Sequence, residues 1–298
     1  MKGSIKISKA ARVSIAAVIA IAVLTVTAVF VLPFTPARDV FANVFGVVGL
    51  GDAEPQSAVP AGYSLVWSDE FSGESGEPDK EKWDYSTGGN GWGNGEVQNY
   101  TNKRENSFVK DGMLSIVARK DNGSWTSARV KTQYKADWTY GFIEVRARLP
   151  KGVGTWPAIW MLPTFDKYGG WPRSGEIDIM EHVGYEQDVI HATAHTMSYN
   201  HRKETQKNAH DTIPGVSSRF HVYAVEWTPD YLQWYVDGAP FYRFDNPKET
   251  VAEWPFDIRY YLIMNIAIGG SWGGKEGIDE RLKSARMDVD YVRIYQKQ

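Results

Sequence analysis

No cysteine occurs anywhere in the 298 residues. That single absence excludes disulfide staples, thiolate nucleophiles and cysteine-built zinc centres. Positive charge is not in excess either. The formal net charge is −3, which leaves no basic footprint for nucleic acid. There is no internal repeat and no low-complexity tract, and helical periodicity is nearly missing beyond the first 34 residues. Only one long hydrophobic run exists, and it lies at the N-terminus.

That run extends from Val13 to Phe34, broken by Ser14, Thr25, Thr27 and Pro33, and it follows Lys2, Lys6, Lys9 and Arg12. About 20 apolar residues suffice to cross the hydrocarbon core as a helix. The basic flank is expected to stay in the cytoplasm, with everything after Phe34 outside. The run exceeds the roughly 7–15 apolar residues of a cleavable leader, so residues 1–34 read as a membrane-spanning signal-anchor. Secretion after cleavage near Ala28 or Ala42 is the alternative. Both readings make the rest extracytoplasmic. Residues 35–61 carry Pro36, Gly46, Gly49, Gly51, Pro55 and Pro60 and read as a linker, leaving 62–298 as one domain.

Aromatic residues are what the chain has in plenty: 12 Trp, 16 Tyr and 12 Phe. Such rings bury large areas and favour strands, and exposed indole faces also stack on sugars. From residue 62 onward, short period-2 segments alternate with Gly, Pro, Asn and Asp. The clearest strands are 63–67, 113–118, 142–149, 176–181, 189–196, 221–228, 231–236, 261–268 and 287–295. The pairs Asp111-Gly112 and Asp237-Gly238 suit hairpin turns, where positive φ is needed. Many strands at this spacing imply an all-β fold, a two-sheet antiparallel sandwich. A β-barrel is the second choice.

The segment SGEIDIMEH at 174–182 concentrates the chemistry. In a strand, residues two apart share a face, so Glu176 and Asp178 point together while Ile177 and Ile179 face the core. Strict alternation would send Glu181 into that core, where an unpartnered charge is very costly. One extra residue, a β-bulge between Asp178 and Glu181, restores the phase, and bulges commonly re-aim side chains at active sites. Three carboxylates on one face raise at least one pKa, keeping a proton available near neutral pH. A retaining glycosidase needs that pair, one carboxylate to attack and one acid to protonate the leaving oxygen, about 5–5.5 Å apart. Glu176 and Glu181 would be separated by roughly 13 Å along the strand and must lean together. A solvated acidic strand edge, or a divalent-cation site of three oxygens, fits the bare motif as well. Upstream, Trp156 and Trp160 are spaced to share a strand face, as core or as a sugar-stacking wall.

The strings WPAIWMLP at 156–163 and GGWPRSGEIDIMEHVG at 169–184 resemble the central block of glycoside hydrolase family 16, in its bacterial laminarinase-like endo-β-1,3-glucanase branch. WSDEF at 67–71, WGNGEVQ at 92–98, YGFIEVR at 140–146, HVYAVEW at 221–227, MNIAIG at 264–269 and VDYVRIY at 289–295 agree with it. The resemblance covers residues 62–297. It implies a jelly roll with a cleft on its concave sheet, with Glu176 as nucleophile, Asp178 as its assistant and Glu181 as general acid/base. It implies substrate contacts from Trp156, Trp160, Trp171, Asn94, Glu96, Arg146 and His195. Glu96 and Arg146 read equally as a structural ion pair. His191 shares the strand face of His195 and is the weaker candidate. It further implies a structural calcium at Glu70, the carbonyl of Gly112 and Asp290, with no cofactor for catalysis.

The expected activity is cleavage of internal β-1,3 linkages in laminarin-type β-glucan by double displacement, in a monomer. Mixed-linkage glucan, agarose and carrageenan stay open as substrates, because the same carboxylates serve each linkage. A non-catalytic glucan-binding module on the same sandwich is the other alternative.

Overall fold

The computed structural model describes residues 57–73 and 75–298. The expected membrane-spanning segment and nearly all of the linker lie outside the described residues. Within them no helix is long and apolar enough to cross a membrane.

Two sheets make up the domain. The larger contains β1 (Tyr63–Asp69), β3 (Gln98–Tyr100), β4 (Ser107–Lys110), β5 (Met113–Asp121), β6 (Ser124–Ser127), β8 (Gly141–Arg148), β13 (His221–Trp227), β14 (Tyr231–Val236), β15 (Ala239–Asp245) and β17 (Ser284–Lys297). The smaller contains β2 (Asp84–Tyr85), β7 (Arg129–Lys131), β9 (Thr155–Pro163), β10 (Glu176–His182), β11 (Val189–His195), β12 (Lys207–Thr212) and β16 (Tyr260–Ile268). Its order is β12-β11-β10-β9-β16-β7-β2, which puts the acidic strand near the middle. The larger sheet runs β15-β14-β13-β8-β17-β5-β6-β3, with β1 on β17 and β4 on β5. Pairing is antiparallel except between β3 and β6. The sandwich expected from strand spacing is therefore the observed fold, and all nine segments read from alternation are strands.

Alternation decides which side chains fill the space between the sheets. On β14, Leu232, Trp234 and Val236 are buried while Tyr231, Gln233 and Tyr235 are partly exposed. On β16, Leu262, Met264, Ile266 and Ile268 join the core, leaving Tyr261, Ile263, Asn265 and Ala267 for the opposite face. The two Asp-Gly pairs turn as expected: Asp111 and Gly112 have φ of 53° and 73°, and Asp237 and Gly238 have 48° and 79°. Positive φ at both central positions is the turn that matches strand twist.

Candidate active site

The bulge lies where strand parity requires it. Against β11, Asp178 pairs with Thr193 and Glu181 with His191, so β10 uses one residue more than its neighbour. Against β9, Asp178 pairs with Trp160 and Met180 with Ile159, which makes Ile179 the extra residue on that side. Ile177, Ile179 and Met180 all enter the core, and Glu181 returns to the face of Glu176 and Asp178. A buried donor on the facing sheet holds the irregular backbone: Trp234 Nε1 donates to the Asp178 carbonyl at 2.9 Å. The start of the strand is equally constrained. Gly175 has φ of +82°, and a Cβ there would come within 2.4 Å of the Tyr260 hydroxyl.

Each outer glutamate is held by a tryptophan. Trp171 Nε1 donates to Glu176 Oε2 at 2.8 Å, and Trp156 Nε1 donates to Glu181 Oε1 at 3.0 Å. Asp178 is only 2% exposed, and its Oδ2 lies 3.5 Å from His195 Nε2. Burial is the main cause of every shift among the acids. It pushes Glu176 up to about 7, against the Asp178 and Trp171 hydrogen bonds and the Arg129 charge. Glu181 goes up to about 8, with the Glu176 charge adding to burial and Trp156 opposing. Asp178, facing both glutamates, is held well above the ordinary carboxylate range. The hydrogen bond with Glu176 adds to that rise. Burial also depresses His195 to about 3, with His201 adding to it, so this imidazole is neutral.

Two cavities meet at Glu176. One, of about 320 Å³, is lined by Trp156, Glu181, His191, Thr193, His195 and Trp272 together with Asn94, Glu176 and His201. The other, of about 690 Å³, runs past Trp92, Arg129, Trp160, Trp171 and Tyr261 and shares Asn94, Glu176 and His201. Their union is a cleft with indole walls and acids at its centre. Trp160 is fixed by a chain of hydrogen bonds. Its Nε1 donates to Asn265 Oδ1 at 2.7 Å, Asn265 Nδ2 donates to the Tyr100 hydroxyl at 3.0 Å, and that hydroxyl donates to Glu96 Oε2 at 3.4 Å.

Trp156, Trp160, Trp171, Asn94 and His195 thus come together around the acids, and His191 joins them. Glu96 is a layer back. It accepts from Asn94 at 3.1 Å and from Gln98 at 2.6 Å, and it orients Asn94 from behind the cavity wall. Arg146 must be reassigned. On β8 of the larger sheet, Ile143, Val145 and Ala147 fill the core, which turns Arg146 to the outer face. There it binds Asp290 at 2.7 Å and lies over the Phe220 ring. It neither lines the cleft nor pairs with Glu96.

Two arginines line the cleft instead: Arg129, over the rings of Trp92 and Trp160 at 4.7 and 4.5 Å, and Arg202, over Trp171 at 4.6 Å. Sequence reasoning missed Arg129 because β7 is three residues long and shows no periodicity. Trp272, whose ring meets Trp156 and His191, and His201 were missed as well; only pairing across distant segments places them. Trp92 sat within a quoted motif but carried no assigned role.

For the expected calcium, the β17–β5 register ends at Val289 opposite Leu114, one residue short of Asp290 and two residues past Gly112. Both carboxylates already have cations: Arg293 binds Glu70 at 2.9 and 2.8 Å, and Arg146 binds Asp290. As placed, each of the two carboxylates is paired with an arginine.

An all-β sandwich with paired glutamates and indoles in a cleft is the arrangement of a sugar-cleaving enzyme. Consistent with it, the sequence profile of "Glycosyl hydrolases family 16" matches residues 94–293, and the chain belongs to that family of O-glycosyl hydrolases. Among its relatives, the "Beta-glucanase" of Rhodothermus marinus is 54% identical over 244 residues, covering 78% of this chain and 85% of that protein. The "Glucan endo-1,3-beta-glucosidase A1" of Niallia circulans is 38% identical, over 82% of this chain and 39% of its own length. The solved laminarinase of Rhodothermus marinus superposes with a TM-score of 0.76 at 52% identity, covering 78% of this chain and 97% of that one.

Proposed function

We propose that the protein is a retaining endo-β-1,3-glucanase acting on laminarin-type glucan. The observation that carries this reading is the bulge, which sets Glu176 and Glu181 in one cavity with unequal support for their charges. Glu176, with a hydrogen bond from Trp171 and support from its Asp178 hydrogen bond, is the better-stabilised carboxylate and attacks the anomeric carbon. Glu181, with one indole hydrogen bond and the stronger upward shift, holds the proton and gives it to the leaving oxygen. Water then releases the sugar, with Glu181 as base. Trp156, Trp160 and Trp171 supply stacking walls, and Arg129 and Arg202 replace Arg146 as basic residues of the cleft.

The choice of β-1,3-glucan is supported by the laminarinase-like motifs and by relatives that act on that linkage. Reducing-sugar release from laminarin, beside mixed-linkage glucan, agarose and carrageenan, tests it. Laminarin must be the best substrate, and a better rate on any other polymer overturns the assignment. No release from any of them would instead favour a binding module.

Residues 13–34, behind their basic flank, support an extracytoplasmic, membrane-anchored or secreted enzyme; fractionation of the producing cells tests this. Glu70, Gly112 and Asp290 are given a structural role. Calcium there would have to turn two arginines away, and a Tm raised by calcium in the wild type but not in Asp290→Asn would demonstrate it.

A further inference from the structure

Glu176, Asp178 and His195 each offer one ligand atom in a close triangle. Their oxygens and nitrogen lie within 4.8 Å of one another. His195 Nε2 is 3.5 Å from Asp178 Oδ2 and 3.9 Å from Glu176 Oε1. Zinc bonds of about 2.0–2.2 Å set tetrahedral ligand atoms roughly 3.3–3.6 Å apart, so two edges of this triangle are already near the required size. The atoms are also available. Trp171 occupies the other oxygen of Glu176, and Asp178 Oδ2 is buried with no hydrogen-bond partner in the heavy-atom geometry. The third group, His195, is 6% exposed, and β10 and β11 hold it in register with Glu176. The cavity on the open side leaves room for water as a fourth ligand.

We propose that these three residues form a binding site for a borderline transition cation such as Zn²⁺, and that the ion inhibits the enzyme by capturing the attacking carboxylate. One imidazole and two carboxylates suit zinc, whereas calcium needs six to eight oxygens and magnesium a near-octahedral oxygen shell. Arg129 opposes binding by its charge, and bound glucan competes for the same space. Inhibition rests on the hydrolase reading, but binding does not.

The test is calorimetric titration of the full chain with zinc chloride, with calcium and magnesium chlorides as controls, alongside laminarin hydrolysis. One zinc per chain is expected, with no heat from calcium or magnesium. Inhibition should be competitive and reversed by EDTA. His195→Asn should weaken zinc on the order of 100-fold, since even outer-shell partners of a metal cost 10–100-fold. Asp178→Asn, nearly isosteric, should do the same and guards against a misfolded histidine variant; melting curves confirm both folds. Zinc bound equally by the wild type and both variants would place it elsewhere, at His191 and His210 for example, and overturn the proposal. Absence of binding does so too. Zinc binding in a protein that cleaves no glucan would sink the hydrolase reading alone.

Discussion

Replacing Trp171 with Phe separates the two glutamates by their pH behaviour. The substitution keeps an aromatic ring but removes the N–H that meets Glu176 Oε2 at 2.8 Å. A hydrogen bond to a charged acceptor is worth about 1.5–3 kcal/mol, which corresponds to roughly 1–2 pH units. Glu176 keeps the Asp178 hydrogen bond and the Arg129 charge, so the lower end applies. The sign follows from the role. Less support for the carboxylate raises its pKa above about 7, and ionised Glu176 is required for attack. The acidic limb of kcat/KM against pH therefore moves up by about one unit, toward the basic limb set by Glu181 near 8. The bell narrows, and its maximum falls about twofold from protonation alone. Trp156→Phe removes the N–H at Glu181 instead and moves the basic limb upward, widening the bell. The assay is kcat/KM on laminarin from pH 4 to 10 for all three proteins. The limbs are apparent values of a coupled set, but the direction of each is fixed. If Trp171→Phe moved only the basic limb, or both variants moved the same limb, the assignment of roles would be wrong.

Other outcomes follow from the same geometry. Glu181→Gln should abolish hydrolysis and stabilise the fold at high pH. Because the folded-state pKa is raised, the penalty for ionising Glu181 grows above about pH 4.5 and is complete above about 8. Its removal should raise Tm by about 3–6 °C at pH 9, or roughly 1–2 kcal/mol, with little change at pH 4; an equal gain at both would contradict the linkage. Trp234→Phe strips the bulge carbonyl of its donor and leaves a void, at a cost of about 2–4 kcal/mol. Thermal melts should show the loss and kcat should drop with it, whereas unchanged kcat would mean the bulge holds its phase unaided. Arg129→Met should lower kcat/KM at least about tenfold, as expected for loss of a positioning contact. Arg146→Met should lower Tm and leave kcat/KM within about twofold; the reverse pattern would restore Arg146 to the cleft.

Alternation made much of the fold legible. Segments such as 231–236 bury every second residue, and the Asp-Gly turns announce themselves through backbone sterics. The strands that were not legible lack that signal. β2, β3, β6 and β7 have two to four residues each. β9 was only partly legible, through the spacing of Trp156 and Trp160, because Pro157 is its third residue although it is a central strand. β12 is an edge strand with no large apolar residue. The carboxylates were readable because a misplaced charge is so costly that parity alone demanded a bulge. Arg146 and Arg129 show the limit of such reading. A motif position does not say which sheet or which face a side chain will occupy, and here the arginine in the long, conspicuous strand belongs to the wrong sheet.

The division of labour between Glu176 and Glu181 is tested most directly by trapping the glycosyl-enzyme. A 2-deoxy-2-fluoro β-laminarioligosyl fluoride should inactivate the protein, and peptide mass spectrometry should find one added sugar on Glu176. The label on Glu181, or a good substrate turned over with no covalent adduct and with inversion at the anomeric carbon, would contradict the account.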